Sequence, residues 1–270
     1  MTQHALSSQR ASYLAALRRR QRRIRFWQIS LLAGFFLLWE LSCLLGLSDG
    51  FLTSSPSRMA VSFFNLCRGG EVLRHVGISC LETVIGFTLG TVLGTLIAIA
   101  MWFSPTLSRI LDPYLVVLNA LPKTALGPIF IVWMGAGMGA IIVMTLAISL
   151  IVTILNMYEG FRATDSEKLR LMATLGATRW QTLRLLVLPC NYPTLLNTLK
   201  VNVGLSWVGV IMGEFLVSRA GLGYLIVYGS QVFNMDLVLT AVMLLAVAAV
   251  VMYRLVLLAE TWIHSLWEVS

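Results

Sequence analysis

The chain has 270 residues, of which 58% are hydrophobic and 12% are charged, and its formal net charge is +8. Soluble domains carry about 25% charged residues, so this composition excludes an ordinary soluble protein and favours one embedded in lipid. A helix needs about 20 predominantly apolar residues to cross the hydrocarbon layer.

Six stretches of the sequence meet this requirement, at residues 26–47, 83–102, 114–134, 140–156, 198–217 and 237–259. None shows the polar and apolar alternation that is typical of membrane β-barrel strands. Backbone amides inside lipid need internal partners, which a helix supplies. The sequence therefore predicts an all-α, polytopic membrane protein with about six transmembrane helices.

The distribution of Lys and Arg predicts the orientation of these helices. With a cytoplasmic N-terminus, 14 basic residues fall in inside segments, four fall outside, and Lys123 and Lys200 lie within helices. Since cytoplasmic loops carry the excess of Lys and Arg, both termini are expected to be cytoplasmic. Residues 1–25 form a basic cytoplasmic segment, and residues 26–270 form the transmembrane domain.

The basic run "RRRQRRIRF" precedes the first apolar stretch. That stretch is too long for an ordinary signal-peptide core, so a retained first helix is expected. Beside a membrane helix, such a run favours contact with anionic lipid over nucleic acid. The four cysteines lack C-x-x-C spacing and nearby histidines, so neither a metal site nor a redox site is predicted.

Three glycines in "GFTLGTVLG", at positions 86, 90 and 94, lie four residues apart on one helical face. This repeated spacing lets a second helix approach closely. Packing within the chain is the favoured interpretation, and packing between two copies of the chain is the alternative.

The third apolar stretch contains Pro122 and Pro128, which each remove a helix hydrogen bond. Lys123 lies about nine residues into this stretch, near the midplane of the bilayer. A lysine at that depth either faces a cavity or pairs with a carboxylate such as Glu40, Glu82 or Glu214. Lys200 lies near a helix end and is expected to reach the interface. The candidates for a translocation pathway are Asn119, Pro122, Lys123 and Glu214.

The connecting segments also carry signals. "TSSPS" predicts that a helix, which we expect to be amphipathic and external, begins near Pro56. "GAGMG" is short enough to predict a tight hairpin between the third and fourth stretches, and the glycine-rich loop before the sixth suits a short or re-entrant helix.

The cytoplasmic loop at about 157–196 predicts two short helices that meet at an elbow. Asp165 can cap the first helix, and Gly176 can end it. Thr178 and Gln181 match a capping box that starts the second helix, which is expected to end at Pro189. Trp180, Leu183 and Val187 fall on one face of it, with Arg179 and Arg184 off that face. The elbow either docks into a partner or rests on the lipid surface.

Gly176, Leu186, Leu188 and Pro189 fit the G-x9-I-x-L-P half of the EAA motif. The chain thereby resembles the permease subunits of bacterial ABC importers. "NALPKTALGPIFIVWMGAG" and "VGVIMGEFLVSRAGLGYLIVYGSQVF" are similar to phrases of the nitrate, sulfonate and taurine branch of this family. The resemblance covers roughly residues 26–259. Arg170 stands where the family has an acidic residue, and Leu171 and Met172 stand where it has alanines.

The resemblance implies a type I importer permease fold in the bacterial inner membrane. Two permease copies would form the pathway, two cytoplasmic ATPases would bind ATP and Mg, and an external binding protein would deliver the solute. The elbow would then be the coupling helix, with contacts from Ala173, Leu175, Gly176, Ala177, Thr178, Arg179, Trp180, Leu183 and Pro189. The chain has no G-x-x-x-x-G-K-[ST] phosphate loop, which fits a transport subunit that has no cofactor and is not an enzyme.

The expected solute is small and either organic or anionic, in the sulfonate, nitrate or vitamin-precursor class. An ion- or proton-coupled secondary transporter is the alternative, because such proteins also have midplane charges and broken helices. An intramembrane hydrolase is disfavoured, because no Ser and His lie at one depth. A small channel or scaffold does not explain the elbow.

Overall fold

A computed structural model describes residues 2–47 and 50–267, and all regular structure within these ranges is helical. The all-α prediction is therefore confirmed. The chain divides into two compact units, Met1–Ser62 and Phe63–Ser270.

The first unit contains α1 (Thr2–Leu44), α2 (Gly50–Thr53) and the start of α3 (Pro56–Arg68). α3 begins at Pro56, as predicted, because the ring of proline suits the first turn of a helix. Glu40 of α1 accepts hydrogen bonds from the backbone N of Ser57 at 3.0 Å and from its Oγ at 2.7 Å. A carboxylate at a helix N-terminus is favourable, so Glu40 stabilises the start of α3.

The second unit contains the remaining helices. The membrane-length ones are α4 (Glu71–Phe103), α7 (Met138–Arg162), α11 (Tyr192–Val217) and α13 (Met235–Trp267). Between them lie α5 (Pro105–Ala120), a 3₁₀ turn (Lys123–Leu126), α6 (Gly127–Met134), α8 (Ser166–Thr174), α9 (Arg179–Thr182), a π turn (Leu183–Val187), α10 (Leu188–Cys190) and α12 (Leu222–Gln231).

Five helices are long and apolar enough to cross a membrane, and the count rises to six if one bent pair is a single span. The prediction of about six spans agrees with this. Four helices begin well before the predicted apolar stretches. α1 begins at Thr2 rather than near 26, and α4 begins at Glu71 rather than near 83. α5 begins at Pro105 rather than near 114, and α11 begins at Tyr192 rather than near 198. Each predicted stretch begins where the side chains become apolar, whereas the backbone hydrogen bonds of the helix begin earlier, among polar residues.

The bent pair is the third predicted stretch. α5 and the segment Lys123–Met134 meet at an angle of 92°. Leu121 is extended, with ψ 139°, as the residue before a proline prefers. The predicted irregularity around Pro122 is confirmed. The predicted hairpin is also present, because α6 ends at Met134 and α7 begins at Met138.

α7 packs between α4 and α11 through small residues. A Cβ added at Gly86 would lie 2.5 Å from Thr145, and one added at Gly94 would lie 2.6 Å from Thr153. A Cβ added at Gly209 of α11 would lie 2.5 Å from the Cα of the same Thr145. The glycine face of α4 therefore packs within the chain, which confirms the favoured interpretation.

Buried hydroxyl groups on α7 are satisfied within their own helix. Thr145, Ser149 and Thr153 each donate to the carbonyl four residues earlier, at 2.8, 2.9 and 2.8 Å. Asn202 of α11 then links three helices, because its Nδ2 donates to Thr91 Oγ1 of α4 at 3.0 Å and to Thr153 Oγ1 at 2.7 Å. This bridge fixes the register of the central helices.

α12 is the short helix predicted before the sixth stretch. Lys200, which is expected to reach the interface, has its Nζ 2.8 Å from Glu260 Oε2 of α13. Both side chains are partly exposed, so this ion pair joins α11 to α13 at the surface of the bundle.

Candidate functional site

α8 begins and ends as its local sequence predicts. Asp165 Oδ1 accepts a hydrogen bond from the backbone N of Glu167 at 2.9 Å. At the other end, Gly176 has φ +71°, and the backbone N of Ala177 bonds to the carbonyl of Met172 at 3.0 Å. This is a Schellman motif, which closes the free carbonyls of a helix end and turns the chain.

α9 starts at once with the predicted capping box. The backbone N of Gln181 donates to Thr178 Oγ1 at 3.3 Å, and the backbone N of Thr178 donates to Gln181 Oε1 at 2.7 Å. The Schellman motif ends at Ala177 and the capping box begins at Thr178, so no residue lies between them. They hold α8 and α9 as a sharp elbow, defined here as residues 165–190.

The prediction that Pro189 ends the second helix was wrong. α9 continues through a π turn at Leu183–Val187 into α10, which ends at Cys190. The backbone N of Leu188 bonds to the carbonyl of Leu183, five residues earlier. A π turn shifts the hydrogen-bond ladder, and Pro189 then lies in the first turn of α10, where its missing N–H costs little.

The elbow is anchored to the bundle by apolar side chains. Leu183 and Val187 are completely buried, in a cluster that includes Met101 of α4 and Phe161 of α7. The predicted face therefore exists, but Leu183 and Val187 face the interior of the chain.

The end of α4 also holds the elbow. Arg179 Nη1 donates to the carbonyl of Phe103 at 2.8 Å. The ring of Trp180 stacks on that of Phe103, with centroids 6.1 Å apart and planes inclined by 19°. The arginine supplies a donor and a positive charge where a helix has free carbonyls.

The outer side of the elbow is apolar and basic. Its exposed large side chains are Leu171, Leu175, Trp180 and Leu185, with exposed fractions of 58%, 72%, 61% and 65%. Exposed basic residues, namely Lys168, Arg170 and Arg184, surround them. Ala173, Gly176 and Thr178 are exposed as well, whereas Ala177 is half-buried. An apolar patch rimmed by charges is typical of an interaction surface.

The structure groups three of the four pathway candidates. Asn119 and Pro122 are exposed, and Lys123 is half-buried at the bend between α5 and α6. Lys123 Nζ donates to the carbonyl of Asn119 at 2.9 Å and to its Oδ1 at 3.2 Å. Within the described part of the second unit, Lys123 does not pair with Glu82 or Glu214.

Glu214 lies elsewhere, with an exposed fraction of 1%. Its Oε1 accepts from Ser79 Oγ at 2.5 Å, and its Oε2 accepts from the backbone N of Gly223 at 2.5 Å. It is part of a buried polar cluster with His75, Ser79 and Glu82 of α4. Sequence reasoning named Glu82 only as a possible partner of Lys123 and did not group these α4 residues, although their spacing of four and three places them on one helical face.

A bundle of membrane-length helices with a bent apolar pair and an exposed elbow is the architecture expected of a multi-pass transport subunit. The model of the binding-protein-dependent transport system inner membrane component family matches residues 90–265. The chain belongs to this family, and it is a multi-pass permease of the inner membrane.

Individual relatives agree with this assignment. The chain is 29% identical over 233 residues to a Haemophilus influenzae protein named "Probable ABC transporter permease protein", covering 86% of this chain and 94% of that protein. It is 28% identical over 235 residues to the SsuC protein of Bacillus subtilis, which is named for aliphatic sulfonates transport, covering 86% of this chain and 85% of that one.

A solved structure supports the fold. The chain is similar to a chain of the MetNI methionine ABC transporter in an inward-facing conformation, with a TM-score of 0.56 and 18% identity. The match covers 67% of this chain and 93% of the other. The type I importer permease fold predicted from the sequence is thereby confirmed.

Proposed function

We propose that the chain forms the translocation pathway of an ATP-driven importer and that two cytoplasmic ATPase subunits drive it through the elbow. ATP and Mg bind to those partners, and an external binding protein delivers the solute. Two copies of the chain line the pathway. The observation that carries this proposal is the elbow, a locally rigid and outwardly apolar structure on the permease of a binding-protein-dependent system.

The elbow combines two properties that coupling requires. Its outer residues, Leu175 and Trp180 above all, are exposed and can enter a cleft on a partner. Its inner residue Leu183 is buried against α4 and α7, so a movement of the elbow is transmitted to membrane helices. Pro189 lies in α10, the short helix that joins the buried π turn to α11.

The outer residues have separate roles in this contact. Ala173, Gly176, Ala177 and Thr178 are small and let a partner approach the turn closely. Arg179 already donates a hydrogen bond to the carbonyl of Phe103, so it positions the elbow instead of pairing with the partner. Arg170 and Arg184 are free to face acidic groups at the rim, where an exposed ion pair contributes about 0–1 kcal/mol.

Retention of the ATPase tests the docking role. The permease is co-expressed with an ABC ATPase subunit of the same organism, and the ATPase retained on the purified permease is measured. Leu175→Asp should lower that amount strongly, because a charge would enter an apolar contact. Leu73→Asp is the matched control, since Leu73 is 84% exposed in the first turn of α4, at the opposite end from Phe103 and the elbow. Equal retention in the two variants would favour an elbow that rests on lipid.

The bend at Asn119, Pro122 and Lys123 is the proposed lining of the pathway. Its cation suits an anionic head group, and a relative is named for aliphatic sulfonates transport. We therefore propose a small organic anion of the sulfonate class as the solute. Uptake of a labelled aliphatic sulfonate by cells with and without a Walker-lysine variant of the ATPase tests this proposal. Uptake that persists without ATP hydrolysis would favour an ion-coupled secondary transporter instead.

A further inference from the structure

The cluster around Glu214 lies at the end of the bundle opposite the elbow. α11 runs from Tyr192, next to the elbow, to Val217, so Glu214 is in its last turn. α4 runs the other way and ends beside the elbow at Phe103, so His75 and Ser79 are in its first turns. The cluster joins these two helices to the start of α12.

Three consecutive backbone amides at the start of α12 point into this cluster. The backbone N of Gly221 donates to His75 Nδ1 at 2.9 Å, that of Leu222 to Ser79 Oγ at 2.8 Å, and that of Gly223 to Glu214 Oε2 at 2.5 Å. The first amides of a helix have no partner inside it, and its N-terminus favours an anion. Side chains of α4 and α11 therefore cap α12.

The close fit of this cap explains the glycines. Gly221 has φ +119°, and a Cβ at Gly223 would lie 2.7 Å from Glu214 Cβ. Any larger residue at either position would displace the carboxylate.

Glu82 brings a second acid to the same place. It has an exposed fraction of 4%, and its carboxyl lies within side-chain hydrogen-bonding reach of that of Glu214. Two carboxylates cannot accept from each other, so a hydrogen bond between them requires a proton on one of them. Leaving both ionised in a buried site would add like-charge repulsion to the loss of solvation.

The hydrogen bonds decide which acid holds the proton. Both oxygens of Glu214 already accept, from Ser79 and from Gly223, which suits a carboxylate. Glu82 Oε2 has no hydrogen-bond partner in the described structure. This is expected of a protonated acid that donates its proton through the other oxygen, Oε1. α7, which packs against α4 and α11, brings no Asp, Glu, Lys, Arg or His between residues 138 and 158 to balance a second charge.

We propose that Glu82 and Glu214 form a single-proton site, in which protonated Glu82 donates to the Glu214 carboxylate and so fastens α12 to α4 and α11. The other titratable side chains near the pair are His75 and Cys80 on α4 and Tyr224 on α12. Asp236 begins α13, the helix that follows. Glu82 is a positioning residue, since it acts on α12 through Glu214. The proposal does not depend on the partners or the solute proposed above.

Infrared spectroscopy of the full chain in nanodiscs tests the protonation directly. With glutamate labelled by ¹³C, the wild type in sodium-free buffer at neutral pH should show the carbonyl band of a protonated glutamic acid. Glu82→Gln should remove it, because the amide donates in place of the acid. Glu71→Gln is the control, since Glu71 lies exposed in the same helix and should leave the band unchanged.

Amide hydrogen exchange tests the fastening of α12. In Glu82→Gln, exchange at Leu222 and Gly223 should stay at the wild-type rate. In Glu82→Ala it should rise by about tenfold or more, as expected when a hydrogen bond to a charged group is lost. The absence of a protonated-glutamate band in the wild type would overturn the proposal. A band that appears only when sodium is removed would also overturn it and would indicate a bound cation.

Discussion

Arg179 and Phe103 are 76 residues apart in the sequence, yet Arg179 Nη1 donates to the main-chain carbonyl of Phe103 at 2.8 Å. The bond joins the start of α9 to the last residue of α4. α4 runs from Glu71 to Phe103, so this bond and the stacking of Trp180 on Phe103 attach the elbow to a helix that reaches the opposite end of the second unit.

Arg179→Met should loosen this link. The variant keeps the apolar stem of the side chain and removes the donor and the charge at the end of α4. The free energy of unfolding of the purified protein should fall by about 1 kcal/mol, the usual contribution of one such bond. Thermal unfolding in detergent measures this change. Arg184→Met is the control, because Arg184 is exposed in the same elbow and should leave the melting temperature unchanged.

Gly176→Val should uncouple the elbow while leaving the membrane helices in place. Gly176 has φ +71°, which costs an L-residue roughly 1–2 kcal/mol and a β-branched one more. No atom lies within 4 Å of the position that a Cβ would take, so the penalty comes from the backbone alone. ATP-dependent uptake should be lost, whereas the amount of protein in the membrane should stay normal.

Two further variants separate this backbone effect from side-chain size. Gly176→Asn should retain partial uptake, because asparagine tolerates positive φ better than valine. Gly77→Val places the same side chain at a helical glycine that also has no atom within 4 Å, and it should insert normally. Normal uptake by Gly176→Val would contradict the coupling role.

The elbow shows which features can be predicted from sequence. Asp165, Gly176, Thr178 and Gln181 act on backbone groups within five residues, so their pattern alone predicts two helices and the turn between them. The π turn was not predicted, because it depends on how Leu183 and Val187 seat in a core made by α4 and α7.

The long-range contacts had weaker signals. The glycine spacing in α4 predicted a close helix neighbour but could not name α7. Glu82 and Glu214 are separated by 132 positions, and neither position suggests that two acids meet. Glu40 was grouped with them as a partner for Lys123, yet it caps α3. A buried charge in a sequence predicts that a partner exists, whereas the fold decides which group it is.

Lys123→Met should change transport without preventing assembly. Lys123 bonds only to Asn119 among the described residues, within one turn of the bend, so its removal leaves the helix packing intact. Uptake of an aliphatic sulfonate should fall, and Lys123→Arg, which keeps the charge, should retain more of it. A neutral analogue should inhibit sulfonate uptake more strongly in the Lys123→Met cells than in wild-type cells.

Lys200→Met is the matched control for this experiment. Lys200 is paired with Glu260 of α13, so its loss should affect stability and leave the preference for sulfonate unchanged. An identical transport profile for Lys123→Met and the wild type would place Lys123 outside the pathway.

Gly209→Ala should destabilise the bundle more than Gly90→Ala. The new Cβ at Gly209 would lie 2.5 Å from the Cα of Thr145, and a backbone atom cannot rotate away. The Cβ at Gly90 would instead meet Ser149 Oγ, the end of a side chain. Overpacking of this kind costs about 1–3 kcal/mol, and Gly209→Ala should lie at the upper end.

A second substitution tells the two clashes apart. Ser149→Ala should restore part of the stability of Gly90→Ala, because it removes the Oγ and leaves the Cβ of Ser149 3.3 Å from the new methyl group. Thr145→Ala should not restore Gly209→Ala, since the Cα remains. Gly204→Ala, in the same helix as Gly209 but with no atom within 4 Å, should gain up to about 1 kcal/mol from helix propensity. If all three glycine variants had the same melting temperature, helix propensity rather than close packing against α7 would determine the stability at these positions.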